Sequence, residues 1–137
     1  MKIAVFGSRK IDTAKVYHLL SEKMTRENEY ITSGNIEGAA KMALRVAKEK
    51  GIKITLYNYE SRLDLYTALK DILSKNKKMI AACEFAFVFW NGVSTGTKRE
   101  IKMLEKANKP FELIKCNGNR DIATEEIKVE YIIPEYV

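Results

Sequence analysis

The chain has 137 residues, of which 46% are apolar, with seven glycines and two prolines. This composition is typical of one globular domain and excludes a repetitive or low-complexity chain, so we expect a single domain over residues 1–137. The formal net charge of +6 raises the expectation of an anionic partner, although the basic residues are scattered among acidic ones, as on ordinary solvated helix faces.

Membrane and metal signals are absent from the sequence. No segment approaches the roughly 20 uncharged apolar residues that are needed to cross a bilayer. The apolar run at the start of the chain ends by Gly7, too early for a signal peptide. Cys83 and Cys116 belong to no CxxC motif and no Cys/His cluster, which argues against a disulfide framework and a zinc site. We therefore expect a cytoplasmic protein with free thiols, no metal, no cofactor and no membrane association.

Short β-branched and aromatic runs alternate with helical periodicity along the chain. The predicted strands, in chain order, are Lys2–Phe6, Tyr30–Thr32, Lys53–Tyr57, Glu84–Trp90 and Pro110–Ile114. We expect Asp12 to cap the first helix, Gly51 to end the second and Ser61 to open the third. Residues 127–133 alternate apolar and polar side chains, which indicates an additional C-terminal edge strand.

This alternation predicts an α/β fold, a Rossmann-like doubly wound parallel sheet of about five strands with helices on both faces. Residues 84–90 form a near-continuous apolar run, which is expected of a strand that is covered on both faces. We expect the strand order 3-2-1-4-5. In that order the reversal falls between the first and the fourth strand.

Ligands of such sheets bind outside the carboxyl ends of the strands, where the strand order reverses. Two loops should face each other there, residues 7–9 after the first strand and residues 91–97 after the fourth. Each loop leads to a helix amino terminus, where free backbone N–H groups and the helix dipole favour an anion. Residues 33–35 form a third, neighbouring loop. The residues predicted to bind a phosphate are Gly7, Ser8, Arg9, Ser33, Gly34, Asn91, Gly92, Ser94, Thr95, Gly96 and Thr97.

The common nucleotide fingerprints are absent from these loops. No GxGxxG follows the first strand. Residues 92–98 are one position short of a P-loop and have threonine in place of its lysine. These departures argue against an NTPase and against an ordinary dehydrogenase.

Three candidate residues also have a structural interpretation. Trp90 could stack on a base at the end of the fourth strand, but a large aromatic residue in that position more often covers the edge of the core. Thr97 and Glu100 have the spacing of a helix capping box, in which Glu100 would bond to the helix backbone and have no contact with a substrate. Arg9 could pair with a surface carboxylate, although its place beside Gly7 favours contact with a ligand.

Four groups of residues carry a resemblance to a known superfamily. They are Gly7-Ser8-Arg9, Ser33-Gly34 with Gly38-Ala39, Lys75-Asn76 before Met79, and Phe89-Trp90-Asn91-Gly92 with Ser94, Gly96 and Thr97. Together they resemble the SLOG superfamily over nearly the whole chain to about Ile114. That group includes the YspA- and YpsA-like proteins, the LOG cytokinin-activating phosphoribohydrolases and relatives of the DNA-binding DprA proteins. The resemblance implies a Rossmann-like fold that binds nucleotides or nucleotide-derived ligands, often as a homodimer.

The similarity to LOG enzymes assigns two candidate catalytic residues. The LOG motif PGGxGTxxE supplies a phosphate cradle and a catalytic glutamate, and Glu100 takes that place in this sequence. LOG enzymes have a catalytic arginine four residues before a methionine, and Lys75 stands there before Met79. Lysine keeps the charge but lacks the planar guanidinium. Residues 92–94 replace the Pro-Gly-Gly, so the pattern is nearer to the YspA-like branch.

Three functions follow from these patterns, in order of preference. The first is binding of a phosphorylated nucleotide or nucleotide-derived small molecule, as a binding module or sensor. The second is a LOG-like N-glycoside hydrolysis or ribosyl transfer that uses Glu100, so the sequence leaves open whether the chain is an enzyme. Nucleic-acid binding, which the net charge and the DprA resemblance prompt, ranks last because no face interleaves basic and aromatic residues.

Overall fold

The computed structural model describes most of the chain, namely residues 1–34, 37–58 and 65–116, with only the backbone of 65–68. Three predicted features lie outside the described residues: Asn35 in the loop after the second strand, the helix start at Ser61 and the edge strand at residues 127–133. Within the described ranges, no helix combines the length and the apolar character that a membrane span requires.

Strands and helices alternate along the described chain. The strands are β1 (Lys2–Gly7), β2 (Glu29–Ser33), β3 (Ile54–Tyr57), β4 (Phe85–Trp90) and β5 (Phe111–Lys115). The helices are α1 (Thr13–Lys23), α2 (Gly38–Lys50), α3 (Leu65–Ala82) and α4 (Thr95–Lys106). The five strands predicted between Lys2 and Ile114 are each confirmed, with their ends shifted by no more than one residue.

The strands form one parallel sheet in the order β3-β2-β1-β4-β5, which confirms the predicted doubly wound α/β fold. β1 lies in the middle, with Val5 level with Thr32 of β2 and with Phe87 of β4. The order reverses between β1 and β4. Because Gly7 is level with Phe89, the loops after these two strands leave the same edge of the sheet together.

Alternate residues of the interior strands supply two cores, one on each face of the sheet. Val5 belongs to the core beneath α1 and α2, which includes Met42, whereas Phe6 belongs to the core beneath α3 and α4, which includes Met79. All four side chains are buried. Burying a side chain of this size contributes about 1.5–3 kcal/mol, so both helix layers are held firmly against the sheet.

The small residues of α2 let this helix lie close to the sheet. Ala39 and Ala43 are fully buried. A Cβ added to Gly7 would overlap the Cβ of Ala39 and come within 2.9 Å of the Phe89 carbonyl oxygen. Gly7 is therefore required for packing of α2 on the sheet, and this packing fixes where the loop after β1 begins.

Two predicted helix boundaries are confirmed by their cap geometry. Asp12 Oδ1 accepts a hydrogen bond from the Lys15 backbone N–H at 3.2 Å and caps α1. Gly51 ends α2 in the left-handed conformation, with φ of 66°. The start of α1 and the end of α2 are thus determined by residues of the local sequence.

Candidate functional site

A cavity of about 500 Å³ opens at the carboxyl ends of β1, β2 and β4, beside α3 and the first turn of α4. Small-molecule sites commonly occupy roughly 300–1,000 Å³. Gly34, Gly92 and Trp90 do not line this cavity. The other predicted site residues line it together: Gly7, Ser8, Arg9, Ser33, Lys75, Asn91, Ser94, Thr95, Gly96, Thr97 and Glu100.

Asn91 holds the two principal loops together. Its backbone N–H donates to Ser8 Oγ at 3.2 Å, and its Nδ2 donates to the carbonyl oxygen of Lys10 at 2.7 Å. Its Oδ1 accepts from the backbone N–H groups of Val93 and Ser94, at 2.9 and 2.8 Å. Because both polar atoms of the side chain are engaged within the protein, Asn91 shapes the cavity wall.

Three hydroxyl groups form a continuous chain across the crevice. Ser8 Oγ lies 3.0 Å from Thr97 Oγ1, which lies 3.3 Å from Ser94 Oγ. These hydroxyls carry three protons, and the two hydrogen bonds between them use two. One proton is left to donate, whichever way the chain runs. Ser8 and Thr97 are buried whereas Ser94 is half-buried, so Ser94 is the best placed to present that proton to the cavity.

The first turn of α4 lines the cavity with bare backbone at Gly96. Ser94 is the N-cap and accepts a hydrogen bond from the Thr97 N–H at 3.3 Å. The N–H groups of Thr95 and Gly96 are among the first four of the helix, which have no intrahelical acceptor. A Cβ added to Gly96 would meet only Ser94 Oγ, at 3.9 Å. The space before this turn is therefore open and faces the positive end of the helix, as an anion requires.

The capping-box interpretation of Glu100 is wrong. Because Ser94 is the N-cap of α4, Glu100 lies in the second turn, beyond reach of the cap backbone, and its side chain lines the cavity. Burial raises the pKa of Glu100 to about 7, against the opposing charges of Lys75, Arg99 and Arg9. Near neutral pH, this group is therefore divided between the neutral acid and the carboxylate.

Lys75 is the buried cation of the cavity, with 6% of its surface exposed. Its Nζ donates to Ser33 Oγ at 3.0 Å and so ties α3 to the carboxyl end of β2. Burial lowers the pKa of Lys75, while the nearby charge of Glu100 opposes the shift and that of Arg9 adds to it. A poorly hydrated ammonium attracts an anion more strongly than one in bulk water.

Charged side chains also surround the mouth of the cavity. Arg9 Nε lies 3.7 Å from Glu37 Oε2, with 58% and 57% of the two side chains exposed. An ion pair so exposed is worth about 0–1 kcal/mol, so a ligand anion can replace Glu37 at small cost. The described lining, which also includes Lys10 and Arg99, has four basic side chains against two carboxylates. No group of His, Cys, Asp and Glu in the described ranges could hold a metal ion.

The predicted site residues that do not line the cavity have structural roles. Trp90 Nε1 donates to the Ser94 carbonyl oxygen at 3.0 Å, so the indole braces the loop before α4, which favours the packing interpretation over base contact. Gly92 has φ of 90°, a conformation that residues with a side chain rarely adopt. At Gly34, an added Cβ would collide with the side chain of Asn58.

One face of α3 was not predicted as part of the site. Leu69, Ile72 and Asn76 follow one another at helical spacing and line the cavity. Asn76 is 3% exposed, and its Oδ1 has no hydrogen-bond partner among the described residues. In the sequence, Asn76 is a polar residue in a row of apolar residues at helical spacing, and this pattern alone does not indicate contact with a ligand.

Comparison with known proteins finds similarity at the level of the fold. No protein-family model and no curated protein matches the sequence. The Moco carrier protein from Chlamydomonas reinhardtii has a similar structure, with a TM-score of 0.61 and 19% identity, over 82% of this chain and 75% of that one. The molybdenum cofactor binding protein from the phototrophic bacterium Rippkaea orientalis has a TM-score of 0.64 and 16% identity, over 91% and 80%. These likenesses show a shared Rossmann-like fold.

Proposed function

We propose that this chain binds a phosphorylated, nucleotide-like small molecule in the cavity, with the phosphate at the amino terminus of α4. The observation that carries the proposal is the open first turn of α4, where Gly96 leaves room and the hydroxyl chain leaves one proton. Backbone N–H groups and hydroxyls at a helix amino terminus are common phosphate donors. Lys75 and Arg9 supply positive charge from the neighbouring walls.

Apolar side chains from both helix layers suit the non-phosphate part of such a molecule. Leu69 and Ile72 of α3 and Ala40 of α2 give the cavity apolar surface beside its polar groups. Sites for small organic ligands combine an apolar lining with a small number of placed polar groups. A flat heterocycle joined to a phosphate matches both halves of the cavity.

The similar folds add the molybdenum cofactor to the candidate ligands. One of those proteins is a carrier of Moco and the other binds the molybdenum cofactor. That cofactor combines a pterin heterocycle with a phosphate monoester, the two features that this cavity favours. We therefore include it beside the nucleotides.

The proposal is tested by native mass spectrometry of freshly purified protein, followed by denaturation and identification of any released small molecule. We expect a heterocycle that carries phosphorus. Occupancy should fall in Gly96→Val, whose side chain would occupy the space before α4, and should persist in Ala81→Val, a matched change at an exposed position of α3.

Calorimetric titration provides the second measurement. Adenosine monophosphate should bind more tightly than adenosine, because only the former carries the anion for which the first turn of α4 is open. A released molecule without phosphate, or equal affinity for the nucleotide and the nucleoside, would contradict the proposal.

Hydrolysis of the N-glycosidic bond of a nucleoside monophosphate is a second candidate function. Glu100 lines the cavity with a pKa of about 7, so at neutral pH part of the population has a carboxylate that can activate water or stabilise an oxocarbenium ion. We expect no robust release of adenine from adenosine monophosphate, because Lys75 lacks the planar guanidinium of the similar enzymes. Turnover by the wild type that is lost in Glu100→Gln, with nucleotide affinity retained, would establish the hydrolase.

A further inference from the structure

We propose that the side-chain amide of Asn76 is the specificity-determining group of the cavity and accepts a hydrogen bond from an N–H group of the ligand's heterocycle. This inference rests on the proposed function, because it takes the ligand to be a heterocyclic phosphate. It adds which chemical group of the heterocycle is recognised and where.

Among the described residues, Asn76 differs from other buried polar side chains in its hydrogen bonding. Ser8, Thr32, Lys75 and Thr97 all make hydrogen bonds within the protein. Asn76, equally buried, has a carboxamide oxygen with no partner among the described residues. A buried acceptor left without a donor costs the folded protein free energy, so such a group calls for a partner from outside.

A second unpartnered atom, Nη1 of Arg45, has a different setting. Arg45 lies on α2 and does not line the cavity. Its guanidinium already contacts Glu49, with Nε 3.4 Å from Oε2, and lies 4.4 Å from the ring centroid of Tyr17. Asn76 is therefore the group of this kind that the described structure directs to the candidate site.

The position of Asn76 on α3 indicates which part of the ligand it meets. Leu69 and Ile72 precede it on the same face of the helix and line the same cavity. A flat ring that lies along these two apolar side chains brings its edge to the amide of Asn76. The phosphate, at the first turn of α4, is then held on a different wall from the ring.

A carboxamide recognises the edge of a heterocycle by hydrogen bonding, as asparagine does with adenine in protein–DNA complexes. Its oxygen accepts from an exocyclic amine or a ring N–H. When the bound base lacks such a donor, this oxygen stays buried without a hydrogen-bond partner, and binding is weaker. The cavity should consequently discriminate between heterocycles by the presence of this donor.

The test compares phosphates that differ at the base edge. The probes are the 5′-monophosphates of adenosine, guanosine and inosine, each with an N–H donor, and purine riboside 5′-monophosphate, which has none on its base. We expect the wild type to bind at least one of the first three about tenfold more tightly than the last. Asn76→Leu should lose this preference, whereas Ser74→Leu, at an exposed position of the same helix, should keep it.

Thermal unfolding of the unliganded protein gives an independent readout. Because the carboxamide oxygen of Asn76 has no partner among the described residues, Asn76→Leu, which removes this buried unsatisfied acceptor at nearly constant shape, should raise the Tm. An asparagine with a purely structural role would instead lower the Tm when replaced. Failure of both Asn76→Leu and Asn76→Ala to fold would likewise show such a role and overturn the inference.

The outcomes separate this inference from the proposed function. Equal wild-type affinity for all four phosphates, or a preference that survives in Asn76→Leu, would overturn the role of Asn76 and leave phosphate binding intact. If the wild type binds none of the four monophosphates, the proposed binding of nucleotides and the role of Asn76 are both overturned.

Discussion

Ser8 and Thr97, which are 89 positions apart in the chain, share a hydrogen bond of 3.0 Å between their side-chain oxygens. The bond joins the loop after β1 to the first turn of α4, across the point where the strand order reverses. Each residue is 2% exposed. This shielded contact fixes the spacing of the two loops between which we place the anion.

Loss of the Thr97 hydroxyl should destabilise the protein. Thr97→Val keeps the shape of the side chain but leaves the hydroxyls of Ser8 and Ser94 without their common partner. We expect the free energy of unfolding, measured by urea denaturation, to fall by about 1–2 kcal/mol. Thr25→Val, at an exposed position, should change it by less than about 0.5 kcal/mol. A Thr97→Val protein as stable as the wild type would contradict the structural importance of the hydroxyl chain.

Replacement of Gly96 by alanine should weaken nucleotide binding without lowering the stability of the protein. Gly96→Ala adds a Cβ in open space within a helix, where alanine is favoured over glycine by up to about 1 kcal/mol, so stability should hold or rise. The same Cβ narrows the anion space, and we expect affinity for adenosine monophosphate to fall about tenfold, or roughly 1.4 kcal/mol. Gly7→Ala, in contrast, forces an overlap with Ala39 and should destabilise the fold. Unchanged nucleotide affinity in Gly96→Ala would exclude this turn from the binding site.

Nucleotide affinity should depend on pH through Glu100. Because burial raises the pKa of Glu100 to about 7, the residue gains negative charge as the pH rises from 6 to 8. That charge repels a bound phosphate, so the affinity of the wild type for adenosine monophosphate should fall over this interval relative to that of Glu100→Gln. The phosphate itself gains charge at about pH 6, but it does so equally for both proteins, so titration calorimetry of the two isolates the effect of Glu100. An identical pH profile for the variant and the wild type would count against a carboxylate at the anion.

The raised pKa of Glu100 also predicts how the stability of the protein depends on pH. A carboxyl group whose pKa rises from 4.5 to about 7 on folding binds its proton more tightly in the folded state, so its ionisation costs stability as the pH rises between these values. Glu100→Gln should therefore become more stable relative to the wild type over this range, by about 1–3 kcal/mol at pH 8. Denaturation curves for Glu105→Gln, an exposed change in α4, should show no such trend.

Strand positions and their order were predictable because the physical signal is strong and local. The apolar run at Phe85–Trp90 requires cover on both faces, and the loops rich in glycine and hydroxyl residues follow strands whose ends meet at one edge. Placement of Ser8 and Gly96 at a common cavity followed from that topology.

The residues that were misjudged depend on tertiary contacts. Ser94 and Thr97 are both of residue types that favour the N-cap, and in the structure Ser94 takes that position while the Thr97 hydroxyl is hydrogen-bonded to Ser8. Glu100 consequently lies in the second turn and faces the cavity. Asn76 was missed because nothing local reveals that a buried amide lacks a partner.

The central claim, a phosphate at the first turn of α4, is tested most directly by a crystal structure of the protein with adenosine monophosphate. We predict that the phosphate oxygens lie within hydrogen-bonding distance of the Gly96 backbone N–H and of Ser94 Oγ, with the base against α3 near Asn76. A nucleotide whose phosphate is bound elsewhere, such as at the outer edge of β3, with the first turn of α4 empty, would contradict the account.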